Sequence, residues 1–254
     1  MAEQTWTYEL GGGVLCRELL PGDGAPTKAF RESAAADVTG FGVWGSSVVL
    51  SRFFETEAGR KLLAGRHVAE LGAGCGLAGL VAARCCSPAS LLLTEANARS
   101  LENLQTNANL NRDAHRTAVT VAFCDWDEPE SWPQTDACDV LIGADLLYRR
   151  SYSRKLLPLL ASCVPQGGLF ICATPAAREG LPLMRAALAQ AGWSVEVEIE
   201  APEEWRVNPL CHGLNSVNAA VQRDALFQEL AMKSIAFQLL VLVWRRGSKP
   251  HAEL

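Results

Sequence analysis

Val68-Ala-Glu-Leu-Gly-Ala-Gly-Cys-Gly-Leu-Ala-Gly-Leu-Val-Ala-Ala83 decides the fold. It reads as the end of a buried strand, a glycine-rich turn and the start of a helix. Gly72, Gly74 and Gly76 stand at alternate positions, where a missing side chain lets the backbone turn tightly and approach a ligand. Glu70 lies just before the turn. Farther on, the apolar run Leu91-Leu92-Leu93-Thr94 ends in Glu95, which places a carboxylate at the tip of the next strand. There it can accept hydrogen bonds from the two hydroxyls of a ribose.

A strand, loop, helix, strand and acid in this order bind an adenosine cofactor. A dinucleotide site needs Gly-x-Gly-x-x-Gly with a pyrophosphate on the helix N-terminus. Gly74-Cys-Gly-Leu-Ala-Gly79 satisfies that pattern formally, but the acid Glu70 beside the loop suits a cationic ligand better than a phosphate. Glu-Leu-Gly-Ala-Gly-Cys-Gly resembles motif I of the class I S-adenosylmethionine (SAM) methyltransferases. SAM has no phosphate and carries an ammonium and a sulfonium.

The rest of the 254-residue chain extends this unit. Strands are expected at 67–71, 90–94, 118–123, 140–144, 168–173, 194–200 and 236–244. Helices at 77–85, 99–110, 153–163 and 180–191 separate most of them. The fold class is therefore α/β: a doubly wound, mostly parallel seven-stranded sheet with helices on both faces and an antiparallel C-terminal edge hairpin. Residues 1–40 read as an extension packing on the core, with a loop at Pro21-Gly-Asp-Gly-Ala-Pro26, and 41–254 as the main domain. Ser46-Ser47 suits a helix N-cap. An inserted segment at about 201–234, holding His212 and a helical stretch at 217–232, is long enough to be functional.

Composition narrows the class. A net charge of −5 argues against a nucleic-acid partner. No apolar run reaches the roughly 18 residues that cross a bilayer, and Met1-Ala-Glu-Gln-Thr-Trp lacks a signal-peptide pattern. Nine cysteines, mostly in apolar contexts and without a Cys-x-x-Cys pair, read as buried thiols in a reducing compartment, the cytoplasm or the nucleus. The four histidines match no metal spacing.

Open α/β sheets bind ligands at the carboxyl ends of their strands. Besides Glu70 and Glu95, that rim carries Cys124-Asp-Trp-Asp127, Gly143-Ala-Asp-Leu-Leu-Tyr148 and Ala173-Thr-Pro175. Asp125 can bond the exocyclic amine of an adenine and Trp126 can cover its ring. Core packing for Trp126 and Tyr148, a helix cap for Asp145 and a solvated loop acid for Asp127 are the plain alternatives.

Trp44, the loop 70–76, Glu95, the Asn-rich stretch Glu102-Asn-Leu-Gln-Thr-Asn-Ala-Asn-Leu-Asn111, Asp125-Trp126 and Gly143-Ala-Asp-Leu-Leu-Tyr148 occur in order. Together they resemble the seven-strand protein-lysine methyltransferases of the methyltransferase 16 family, over residues 41–174. The resemblance implies SAM-contacting positions at Trp44, Gly72, Ala73, Gly74, Glu95, Trp126 and Ala144, and an acceptor motif Asp-x-x-Tyr at Asp145 and Tyr148. It implies SAM as cofactor, S-adenosylhomocysteine (SAH) as product, and a protein substrate such as a chaperone or a translation factor. The family often has Asp at the position of Glu95, and an Arg- or Lys-bearing pattern where this chain has Ala173-Thr-Pro-Ala-Ala-Arg-Glu179. A small-molecule methyltransferase and a non-catalytic SAM-binding scaffold are the alternatives on the same fold.

Overall fold

The computed structural model describes residues 2–20, 39–134, 138–207, 209 and 238–247. Seven strands form one sheet: β3 (His67–Glu70), β4 (Ser90–Glu95), β5 (Ala118–Phe123), β6 (Val140–Ala144), β7 (Leu169–Pro175), β8 (Trp193–Glu200) and β9 (Leu239–Arg246), in the order β5-β4-β3-β6-β7-β9-β8. β3 pairs parallel with β4 and β6, and β9 runs antiparallel between β7 and β8. The order reverses between β3 and β6, and a ligand crevice opens at such a switch point.

The strands form where the sequence is continuously apolar. Every residue of β7 is buried, as expected for a strand covered on both faces. Alternate side chains feed two cores. Val68, Leu91, Ile142 and Val243 pack under α1 (Gly45–Glu55) and α3 (Leu77–Cys85). Leu141, Phe170, Leu242 and Trp244 pack under α5 (Arg150–Cys163) and α6 (Gly180–Gln190). Phe170 and Trp244 stack at 5.4 Å across the β7–β9 pair. Each fully buried leucine or phenylalanine contributes about 1.5–3 kcal/mol.

One local expectation changes and two features are new. Ser46 and Ser47 lie inside α1, whose N-cap is Trp44 with no side-chain cap bond. Thr56, not read as a boundary, caps the short α2 (Glu57–Leu63) by accepting from the Gly59 amide at 3.1 Å. The N-terminal stretch forms a hairpin, β1 (Ala2–Tyr8) and β2 (Val14–Leu20), turned through three glycines with positive φ, Gly11-Gly12-Gly13. The loop at 21–26, the helical stretch at 217–232 and His212 lie outside the described residues. Of the 201–234 segment, Trp205 packs on Phe53 at 6.3 Å between ring centres.

The hairpin explains the asparagines of α4 (Ala98–Asn111). Asn103, Asn107 and Asn111 recur every four residues, so they share one helix face, and all are buried. Asn111 accepts from the Leu15 amide at 3.0 Å and donates to its carbonyl at 2.7 Å. Asn107 does the same for Arg17, at 2.7 and 3.1 Å, and also donates to the Cys75 carbonyl in the glycine loop at 2.9 Å. Asn103 donates to the Arg17 carbonyl at 2.7 Å and accepts from its guanidinium. Side-chain amides thus replace a neighbouring strand along the outer edge of β2. The opposite face of β2 buries Glu18, which accepts from the Tyr8 hydroxyl. Burial pushes its carboxyl up to about 7, against the opposing hydrogen bonds from Tyr8 and the Val43 amide.

Asn107 therefore ties hairpin, helix and loop at one point. Asn107→Ala orphans buried backbone groups on both Arg17 and Cys75, each worth roughly 1–3 kcal/mol. We expect a loss of about 2–4 kcal/mol in urea unfolding. Asn109→Ala, on the exposed face, should stay within about 0.5 kcal/mol; equal losses would refute the ladder.

Candidate active site

A cavity of about 360 Å³ opens at the carboxyl rim of β3, β4, β5 and β6. Its floor is the loop between β3 and α3. Gly72 has a φ of 54°, a region that disfavours residues with a Cβ, and a Cβ there would press on Leu146 at 3.2 Å and Trp126 at 3.4 Å. The loop holds its shape through its amides. Ala73 donates to the Thr94 carbonyl at 2.9 Å and Gly76 to the Ala73 carbonyl at 2.8 Å. Gly74 donates to Glu95 Oε2 at 3.0 Å. In the first turn of α3, Gly79 donates to Glu70 Oε2 at 2.9 Å. A Cβ at Gly79 would fall 2.4 Å from that same oxygen.

This arrangement suits a pyrophosphate poorly. A pyrophosphate needs free loop and helix amides, and here Glu95 takes the Gly74 amide and Glu70 the Gly79 amide. Glu70 lies beneath the loop, 1 % exposed, and does not line the cavity. Expected beside the cofactor, its carboxyl supports the loop from below. Burial pushes it up to about 8, with nearby Glu95 raising it further and the Gly79 amide opposing.

The other expected positions do line the cavity: Trp44, Gly72, Ala73, Gly74, Glu95, Asp125, Trp126, Ala144, Asp145 and Tyr148. Glu95 Oε1 accepts from the amides of Ala96 at 2.8 Å and Asn97 at 3.3 Å, which fixes the carboxylate at the strand tip. Asp125 sits in a turn where its Oδ1 accepts from the Asp127 amide at 2.9 Å. Its carbonyl accepts from Trp132 Nε1 at 3.1 Å. Trp44 donates from its indole to the Thr39 carbonyl at 2.7 Å, closing a wall that includes Gly40. The carboxylates of Glu95 and Asp125, the Trp126 ring and the glycine floor in one cavity fit SAM.

Asp145 lines the same cavity as three aromatic rings. Trp126 and Tyr152 meet edge-on at 5.7 Å, and Tyr148 and Tyr152 at 4.8 Å. Lys155 lies 5.5 Å from the Tyr152 ring centre and pairs with Asp127. Asp145 has a φ of 56°, uncommon for any residue but glycine. It is 7 % exposed, and its amide donates to the Ala173 carbonyl at 2.8 Å. It does not cap α5, whose N-cap is Arg149. Its carboxylate accepts from Arg178, Nε to Oδ1 at 2.8 Å and the terminal nitrogen to Oδ2. Burial raises the Asp145 carboxyl above its ordinary value, and the Arg178 hydrogen bond and charge oppose the rise.

Sequence reasoning missed Tyr152, Lys155 and Arg178 in this cavity. Tyr152 follows Tyr148 by four residues, a helical spacing that could have found it. Arg178 stands in the stretch where the resemblance departs from its pattern, so only the three-dimensional pairing gives it meaning.

Comparison with known proteins agrees with this geometry. The chain is 32% identical over 203 residues to the protein-lysine N-methyltransferase EEF2KMT of Homo sapiens, covering 71% of this chain and 59% of that protein. It is 34% identical over 156 residues to the same-named protein of Mus musculus, covering 56% and 45%. The chain thus spans about half the length of these curated relatives. A solved methyltransferase from Pyrococcus furiosus shares the fold at a TM-score of 0.53 and 14% identity, with 86% of this chain and 88% of that chain covered. The lysine methyltransferase family model of the methyltransferase 16 type matches residues 27–180, and the chain belongs to that family.

Proposed function

We propose that the protein is a SAM-dependent N-methyltransferase acting on a protein side-chain nitrogen, a lysine in the first instance. One observation carries this reading: a single cavity joins the carboxylate-held glycine loop and Glu95 to the acid–aromatic slot of Asp145, Tyr148 and Tyr152. Bound SAM supplies a sulfonium methyl. Glu95 receives the ribose hydroxyls, and Asp125 and Trp126 hold and cover the adenine. Tyr148 and Tyr152 shape a slot that strips water from the acceptor and disfavours its charged form. Asp145 orients the nitrogen along the transfer axis, and alignment of this kind can supply roughly 7–11 kcal/mol of a barrier.

The name EEF2KMT of the relatives makes the translation factor EEF2 the first substrate to try, and a cytoplasmic site of action goes with that proposal. The deciding experiment incubates the pure protein with tritiated SAM and either purified EEF2 or lysate from cells lacking the enzyme. Amino-acid analysis of the labelled protein should show methyl-lysine. SAH binding without any labelled protein would refute the reading.

The cofactor half is tested separately. By calorimetry SAH should bind and NAD should not. A charge-assisted contact is worth on the order of 1.5–3 kcal/mol, so Glu95→Ala should weaken SAH by roughly ten- to a hundredfold. Glu95 also accepts from Gly74, so part of that loss comes through the loop.

Asp145→Asn separates binding from chemistry. Asparagine tolerates the left-handed backbone, so the substitution removes charge and leaves the turn. SAH affinity should stay within about threefold while turnover falls roughly a hundredfold. Stability should drop by about 1–3 kcal/mol, because Arg178 loses its anion. A wild-type rate would place the acceptor elsewhere.

A further inference from the structure

Arg178 has no part in the mechanism above, yet it is the best-held cation of the cavity. Its own amide donates to the Pro175 carbonyl at 3.1 Å. Two residues on, the Gly180 amide donates to the Leu147 carbonyl at 3.2 Å, and its carbonyl accepts from Ser153 Oγ at 3.0 Å. The turn carrying the guanidinium is thereby fixed to the segment carrying Tyr148. The side chain is 25 % exposed against 7 % for Asp145, so this is a built-in pair rather than a solvated one. The other acids at this rim are engaged elsewhere: Asp127 with Lys155, Asp125 with the Asp127 amide, Glu95 with loop amides.

The transfer needs a neutral amine. A lysine arrives as an ammonium, and a bare carboxylate at 4–6 Å holds it in that form by about 1–3 pKa units. Asp145 is buried beside the slot, where such an effect is strong. The ionisable groups that line the cavity with Asp145 are Arg178, Tyr148, Tyr152, Lys155 with its partner Asp127, Asp125, Glu95 and the thiols of Cys75 and Cys124, and the buried Cys172 thiol lies on β7 beside Asp145. Of these, Arg178 alone contacts the carboxylate through two nitrogens.

We propose that Arg178 is a positioning residue of the methyl transfer: its bidentate pair with Asp145 compensates the carboxylate, so that the acceptor sits beside Tyr148 as a free amine. This rests on the methyltransferase reading above. The ammonium proton leaves to water first. The nitrogen lone pair then forms the N–CH₃ bond, and the broken S–CH₃ bond leaves its electron pair on sulfur. Without Arg178, the buried Asp145 takes the arriving ammonium as its counter-ion, and the pair retains the proton.

The test uses the full chain with Arg178→Met, Arg178→Gln and Arg178→Lys. The probe is tritiated SAM with protein from lysate of cells whose methylation has been blocked, assayed from pH 6.5 to 9.5; SAH binding is followed by calorimetry. Both neutral variants should bind SAH within about threefold. Their acidic limb should move up by about one pH unit, so that the rate falls roughly tenfold at pH 7.5 and recovers towards pH 9. Arg178→Lys should keep the wild-type limb, at a lower rate because an ammonium cannot reproduce the fork. A neutral variant slowed equally at every pH, or a lysine variant displaced like the neutral ones, overturns the proposal while wild-type labelling leaves the methyltransferase reading standing. Loss of SAH binding in both neutral variants overturns it too, since Arg178 would then serve the cofactor. Wild-type protein that binds SAH yet labels nothing removes the reading and the proposal together.

Discussion

Two carboxylates hold the glycine loop, and the cavity exists because they do. A loop between a strand and a helix N-terminus exposes amides that must find acceptors. In a phosphate-binding protein the ligand supplies them. Here Glu95 takes the Gly74 amide from the neighbouring strand and Glu70 takes the Gly79 amide from below. The loop is complete before any ligand arrives, so binding need not order it. The same choice bears on ligand class, because the Glu95 carboxylate at the loop disfavours a pyrophosphate and suits a cationic, phosphate-free cofactor.

The loop is held from a third side by the N-terminal hairpin, through Asn107. A two-stranded hairpin is marginal alone, and β2 would leave an open edge. The asparagine face of α4 closes that edge with amides spaced at one helical turn against backbone groups spaced at two strand residues. The spacings match because four residues of helix rise about 6 Å and two residues of strand rise nearly 7 Å. Since Asn107 also reaches Cys75, the hairpin supports the cofactor floor although it contributes nothing to the lining.

The parallel core was legible because its signal is local. Apolar runs such as Leu91-Leu92-Leu93 and Val140-Leu-Ile142, cut by glycine turns and separated by helical spacing, have few other readings. Most of the cavity lining was legible for the same reason: strand ends in an open sheet point at one rim. The hairpin escaped because its inward face carries a glutamate, Glu18, and its turn is three glycines. The direction of the Glu70 side chain was not legible, since a carboxyl at a strand end can turn up into the cavity or down beneath the loop. Arg178 and Asp145 lie 33 residues apart on different elements, and no periodicity links them.

The two halves of the site meet at Leu146. Left-handed backbone at Asp145 turns the chain so that the next side chain drops inward. It fills the space that Gly72 leaves open, 3.2 Å from where a Cβ would stand, and the space at Gly143, where a Cβ would come within 2.3 Å of Leu146 Cδ1. The glycine of the cofactor loop, the glycine of β6 and the strained aspartate are therefore one packing solution. Asp145 is held in this conformation, which costs on the order of 1–3 kcal/mol, by its amide bond to Ala173, by Arg178 and by the burial of Leu146. The cofactor floor and the acceptor carboxylate then share a rigid neighbour, so their spacing is set by the core rather than by two independent loops. An in-line transfer needs that fixed spacing.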